Sequence, residues 1–339
     1  MDAPFVLVAL PVTGAAFLIA CMGLLQRHAL KGKSSPVLYL AYSYGWITLG
    51  FALIYVLCWG LTVPQSLQPG FWRAVLVGTL ANYGIQYLHA KALTYTQGEV
   101  SLVVPLSAMT PGFITIAALT LGEVPGIMGI MGIALMSAGS WVLLFKSRPK
   151  RWWEYLTPLW RLSLIVQYST LDAKDKERAV VVWLSLGSAL LWTAGLLCDG
   201  LYTRRGGDLQ GMWVAVTTLW ALLGVGFYIQ YLLNRTPAVV QEWSGERKKF
   251  LLTTTGYAAL IIGATALQTP VFFDTFVAYV GTLGRLRILF GVVLAFLIFK
   301  EQDIKRRLVV ALIVVAGAIL IASEDLPVRL VHQMELFGF

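Results

Sequence analysis

Two arginines, Arg285 and Arg287, sit in the middle of an otherwise apolar run from Thr275 to Phe299. Even on the lenient insertion scale, a charge at the centre of a membrane-spanning helix costs about 2.5–3.5 kcal/mol. Charges retained at that depth therefore point to function. A guanidinium offers a planar fork of donors suited to a carboxylate or phosphate. Two residues along a helix amount to about 200° in direction, so a continuous helix turns one of the pair toward a cavity and the other away.

Further polar groups gather in other apolar stretches. Asn82, Gln86 and His89 follow i, i+4, i+7 spacing and share one helix face beside Tyr83. Such a stripe must face protein or a water-filled space rather than lipid; substrate contact and hydrogen bonding between helices are equally compatible with it. Gln268 plays the corresponding part in the second half of the chain. Tyr279, Trp192 and Tyr228 are aromatic surfaces for stacking on a ligand or for packing. Pro105 and Pro111 flank Ser107 in another apolar run, where they delete amide donors and loosen the helix. Among the acids, Asp199 falls near a span end, and Glu123 and Glu301 fall beside turns. No midplane carboxylate is expected, which leaves proton coupling without support. Cys21, Cys58 and Cys198 have no metal or redox spacing, and His28, His89 and His332 are scattered. With no metalloprotease, nucleophile-elbow or phosphate-loop motif present, neither an enzyme, a metal site nor a cofactor is expected.

The elements that hold these residues are written in the composition. Of 339 residues 58% are hydrophobic and 13% charged, with mean hydropathy +0.74, against about 25% charged in soluble domains. Apolar windows of spanning length predict ten helices, near 5–25, 37–60, 72–90, 100–121, 125–145, 180–201, 211–233, 250–268, 275–299 and 308–323. The net charge of +9 does not mark a nucleic-acid binder, because the basic residues lie in short clusters between windows. One side collects Arg27, Lys31, Lys33, Lys91, the connection from Lys146 to Arg178, Arg235, Arg247, Lys248, Lys249, Lys300, Lys305, Arg306 and Arg307. The other side, with both termini, holds Arg73, Arg204, Arg205 and Arg329. By the positive-inside rule both termini lie outside the cytoplasm. The connection carries Trp152, Trp153, Tyr155 and Trp160, which reads as an interfacial segment or a plain linker.

The two halves echo each other. Glu123 precedes Gly139 by 16 residues, and Glu301 precedes Gly317 by the same interval. The resulting 178-residue offset sets Arg285 opposite Ser107 and Arg287 opposite Met109. Because five spans is an odd number, the second copy enters the membrane from the other side, an inverted repeat of the kind that gives one bundle two equivalent packings. The expected architecture is an all-α integral membrane protein of ten transmembrane helices in two inverted five-helix repeats: residues 1–145, a connecting loop 146–179, residues 180–325 and a tail 326–339.

The stretches Ala90-Lys91-Ala92-Leu93, Ser101-Leu102-Val103-Val104-Pro105-Leu106 with Pro111, and Leu121-Gly122-Glu123 resemble the first repeat of the drug/metabolite transporter superfamily, EamA type. Ala278-Tyr279-Val280, Leu283-Gly284-Arg285-Leu286, Leu289-Phe290 and Phe299-Lys300-Glu301 resemble its second repeat. The resemblance implies a bacterial inner-membrane carrier or exporter, and it favours Arg285 over Arg287 because Arg285 matches the family's basic position. The cytoplasmic termini common among ten-span relatives disagree with the charge distribution here. The expected function is secondary transport of a small anionic metabolite through a midplane cavity between spans three, four, eight and nine. A flippase for a lipid-linked or amphipathic substrate is the alternative; a membrane-embedded enzyme and a scaffold rank lower. The expected partners are the small-molecule substrate and the lipid bilayer, with a homodimer open and nucleic acid excluded.

Overall fold

Long apolar runs with few charges in their interiors form long helices, and the computed structural model is built from these. It describes residues 5–31, 33, 35–65, 67–95, 113–114, 117, 126–142, 173–234, 243, 245–273, 275 and 277–299, with helical residues at 312–313, 316–317 and 320. In chain order the helices are α1 (Phe5–Leu30), α2 (Val37–Trp59), α3 (Phe71–Thr94), α4 (Ile127–Val142), α5 (Ala173–Arg205), α6 (Leu209–Leu233), α7 (Arg247–Gln268), α8 (Val277–Leu283) and α9 (Leu286–Phe299). No strand occurs among the described residues. Five segments are long and apolar enough to cross a membrane: Ala9–Leu30, Val37–Trp59, Trp183–Arg205, Leu209–Leu233 and Arg247–Phe273. This is the build of a membrane-embedded helical protein. Leu49, Leu53, Leu57, Leu80, Leu233 and Leu252 lie on its outer surface, where a soluble chain would place polar groups. Most of spans four and ten, the connection up to residue 172 and the tail lie outside the described residues.

Two boundaries differ from the sequence reading. Residues 173–179, expected in the loop, are the first two turns of α5; their run of Ala, Lys, Glu and Arg favours helix strongly enough to carry it beyond the apolar window. The ninth span, expected to be continuous, is broken at Gly284 and Arg285 into α8 and α9. There the ladder tightens to three-residue bonds, Arg287 N to Gly284 O (3.4 Å) and Ile288 N to Arg285 O (2.8 Å). Gly281 and Gly284 supply the low helix propensity that permits the break. α7 ends for a related reason: Pro270 has no amide hydrogen to continue the ladder, and residues Thr269–Phe273 form a 3₁₀ turn.

α1 packs on α7 and α9, α2 on α6 and α7, and α3 on α5 and α6. The main core is aromatic: Tyr44 of α2 lies 5.4 Å from Trp220 and 5.2 Å from Phe227 of α6, ring centre to ring centre. Between α5 and α6 the chain reverses at Gly206-Gly207, with Gly207 at φ 76°. The Asp208 carboxylate then caps α6 by accepting from Gly211 N at 2.7 Å. The two ends of the bundle are fixed by cross-links. Lys33 pairs with Glu246 at 3.5 Å at one end, and Gln68 N donates to Arg205 O at the other.

Candidate functional site, a polar cavity inside the bundle

A cavity of about 140 Å³ lies between α1, α3, α5, α6, α7 and α9. From α3 it takes Asn82, Ile85, Gln86 and His89, and from α7 Ile261, Ala264, Thr265 and Gln268. Each set follows i, i+3, i+4, i+7 spacing, one continuous helix face. α5 adds Trp192, Leu196 and Asp199, α6 adds Trp220, and α9 adds Arg287 and Gly291. A polar pocket inside apolar helices is what an intramembrane ligand site requires, since each polar group must be satisfied by protein, water or ligand.

The arginine pair organises one wall. Both guanidinium groups approach the indole of Trp192, Arg287 at 4.3 Å from the ring centre and Arg285 at 5.7 Å. A continuous helix would not bring both to one ring; the break at Gly284 does. Arg287 lines the cavity. Arg285 is 2% exposed, and neither its Nε nor its Nη1 has a hydrogen-bond partner among the described residues. The first turn of α9, the positive end of that helix, borders the same space. Cationic charge, the positive end of a helix and an aromatic face thus meet on one wall of the cavity.

The amides of the cavity are partly held by neighbours. Asn82 Nδ2 donates to Gly78 O at 2.9 Å, and Gln86 Oε1 accepts from the Tyr257 hydroxyl at 3.3 Å. Each amide keeps further capacity for a ligand. Tyr83 faces elsewhere: its ring stacks on Phe227 at 4.4 Å and its hydroxyl donates to Gln230 Oε1 at 2.8 Å. Tyr279 is buried in a separate apolar cluster with Phe272, Val277 and Ile114. Of the residues singled out from sequence, the structure thus brings Asn82, Gln86, His89, Gln268 and Arg287 to one cavity, sets Arg285 behind it, and leaves Tyr83 and Tyr279 in packing. Ser107, Pro105 and Pro111 lie outside the described residues.

Asp199, which the sequence places near a span end and outside the candidate site, also lines the cavity. Depth along its own span puts it near the membrane surface, but the cavity extends that way, and the Tyr202 hydroxyl lies alongside its carboxylate. The available signal was spacing: Asp199 follows Trp192 by seven residues, which is two turns along one face and roughly 10 Å along the axis. Among the described residues no cluster of His, Cys, Asp and Glu could hold a metal ion.

The sequence matches no protein-family model and no curated protein. Its fold does recur among solved structures. One of them, described only as "Crystal structure of protein", superposes with a TM-score of 0.63 over 94% of this chain and 96% of its own at 14% identity. The likeness covers nearly the whole chain and establishes a shared fold alone.

Proposed function

We propose that the chain is a ten-span secondary transporter of the EamA type, moving a small organic anion by alternating access through the cavity beside Arg287. The observation that carries this reading is a polar, cationic cavity walled by helices of both halves in an otherwise apolar bundle. Its volume resembles that of cavities which hold a benzene-sized molecule, a scale that suits a small metabolite better than a lipid-linked substrate. Asp199 at the far end of the cavity suits a substrate whose anionic group is joined to a polar or cationic one.

The helix packing supports the inverted repeat. In a five-plus-five chain, exchanging each span for its counterpart turns the α1–α7 contact into α5–α3, turns α2–α7 into α6–α3, and maps α2–α6 onto itself. All of these contacts occur. The same exchange works at single residues. A Cβ added at Gly187 of α5 would sit 3.1 Å from Leu88 of α3. Moving back 173 residues on one helix and forward 179 on the other gives Gly14 of α1, whose added Cβ would sit 3.2 Å from Leu267 of α7. Gly84 facing Leu191 is matched in this way by Gly263 facing Leu18. The α3 wall residues 82, 85, 86 and 89 become 261, 264, 265 and 268 of α7. Residues 1–145 and 180–325 are accordingly proposed as the two repeats, in a bacterial inner membrane with the Lys33–Glu246 end facing the cytoplasm.

The test is a thermal-shift screen of the purified protein and its Arg287→Ala variant against carboxylates and phosphates. A ligand at 100 times its dissociation constant adds about 2.7 kcal/mol of stability. Stabilisation of the wild type alone by one anionic class is the expected result. Indifference of both proteins to every anion would remove the anion-carrier reading.

A further inference from the structure

The two ends of the bundle carry matching arginines that the cavity does not use. Arg27, in the last turn of α1, donates from Nη1 to Leu93 O at 2.8 Å and to Tyr95 O at 3.2 Å, the final carbonyls of α3. Arg204, in the last turn of α5, donates from Nε to Phe272 O at 3.4 Å and from Nη2 to Thr275 O at 3.1 Å, where the α7 segment ends. Helix C-termini leave carbonyls unpaired and carry partial negative charge, so a guanidinium there closes a strong contact. The acceptors Leu93 and Phe272 differ by the 179 residues that relate α3 to α7. The donors fall one helical turn, four residues, from equivalence. Because the halves are inverted, the two contacts lie at opposite ends of the bundle: Arg27 near Lys33 and Glu246, Arg204 near Gln68 and Arg205.

We infer that Arg27 and Arg204 are the two latches of the transport cycle, each closing one face of the cavity and each releasing when that face opens. This inference rests on the transporter reading above. Alternating access requires one such contact per face, since an equilibrium between two packings shifts only through interactions made in one and lost in the other. The cavity wall agrees. Toward the Arg204 end it includes Asp199, Tyr202, Thr269 and Phe272. Their repeat equivalents toward the Arg27 end, Gln26, Ala29, Ala90 and Leu93, are buried but do not line the cavity. The cavity therefore reaches further toward the Arg204 face than toward the Arg27 face. Arg27→Gln releases the seal at its own face and shifts the population toward access from there; Arg204→Gln does the reverse. A role confined to capping helix ends would instead lower stability in both variants with no preference of side.

The experiment reads access directly. In a background with Cys21, Cys58 and Cys198 replaced by alanine, Thr265→Cys places one thiol in the cavity wall. Right-side-out and inverted vesicles are then labelled with a small, membrane-impermeant, anionic methanethiosulfonate. Loss of a charge-assisted contact of this kind shifts an equilibrium by roughly tenfold or more. The expected result is that Arg27→Gln raises the labelling rate by that factor from the Arg27 face and lowers it from the Arg204 face, with Arg204→Gln giving the opposite signs. Arg27→Lys and Arg204→Lys, which keep the charge without the fork, give the same signs with smaller changes and carry the test if a Gln variant fails to insert. Labelling that changes in the same direction from both faces, or from neither, overturns the latches while leaving the transporter reading intact. A thiol reached from one face only in every variant removes the transporter reading itself.

Discussion

Replacing Arg285 with methionine should stabilise the fold. The side chain is 2% exposed, and its Nε and Nη1 have no acceptor among the described residues; a buried donor left unmade costs about 1–3 kcal/mol. Two such donors come to about 2–6 kcal/mol that methionine would not incur. Against this stand the lost attraction to the Trp192 ring, about 0.5–2 kcal/mol, and a packing defect from the smaller side chain of about 1 kcal/mol. Taken at mid-range, the balance is a gain of about 2 kcal/mol. At the lower end of the usual 2–4 °C per kcal/mol for larger chains, the midpoint should rise by about 4 °C. The assay is thermal unfolding of the detergent-solubilised protein at one fixed scan rate, followed by tryptophan fluorescence, with Arg285→Lys beside it. A stabilised variant that no longer responds to the anion bound by the wild type would show a charge kept for function at the expense of stability. A midpoint lowered by more than about 2 °C would refute the reasoning, because the arginine would then be a structural member of the break at Gly284.

Gly23 borders the cavity, and a Cβ added there would meet no atom within 4 Å; Gly23→Leu should therefore fold normally while filling the space and abolishing any ligand-induced thermal shift. Gly78 is different: its added Cβ would lie 3.0 Å from Cys198 Cβ, an atom fixed to the α5 backbone. Gly78→Val should cost about 1–3 kcal/mol in thermal unfolding, whereas Gly45→Ala, which meets nothing within 4 Å, should gain about 0.5–1 kcal/mol from helix propensity. At the basic end, a bond from Lys249 and the nearby charge of Lys33 hold the Glu246 carboxyl below its ordinary value. A depressed acid stabilises the fold above its unfolded pKa, about 4.3, and loses that contribution as pH falls through the folded value. Glu246→Gln should consequently melt lower than the wild type at pH 7 and converge with it in acid, and 1 M salt should shrink the difference.

The long helices were legible because the apolar windows were long and clean: α2, expected at 37–60, spans Val37–Trp59, and α6, expected at 211–233, spans Leu209–Leu233. The site was legible where the signal was local. The i, i+4, i+7 stripe of Asn82, Gln86 and His89 does face the cavity, because a polar face in lipid has nowhere else to point. Tyr83 could not be sorted by the same rule. It is one residue out of the stripe, and its destination depends on Phe227 and Gln230, 144 and 147 residues away. The break at Gly284 was hidden because α8 and α9 are apolar on both sides of it, so hydropathy alone reads one span. Asp199, named near a span end, could not be assigned to the site for a geometric reason: depth along a single helix does not reveal how far a cavity reaches along that helix.

On the transporter reading proposed above, an inverted repeat that moves a ligand must be symmetric in what moves and asymmetric in what binds, and the residues divide along that line. The matched features are small residues at helix contacts, Gly14 with Gly187 and Gly84 with Gly263, together with the carbonyls gripped by Arg27 and Arg204. On that reading these would set two packings close in energy, with neither side favoured by much. The unmatched features are the ones with ligand chemistry. Asp199 corresponds to Gln26, a buried amide whose Nε2 and Oε1 both lack partners among the described residues, and Trp192 corresponds to Ile19. A site whose two ends differ in charge gives a bound molecule a single orientation while the bundle around it exchanges between equivalent forms. On this argument, substitutions at the matched glycines and latches alter how often each face opens, and substitutions at Trp192, Asp199 and Arg287 alter what is carried.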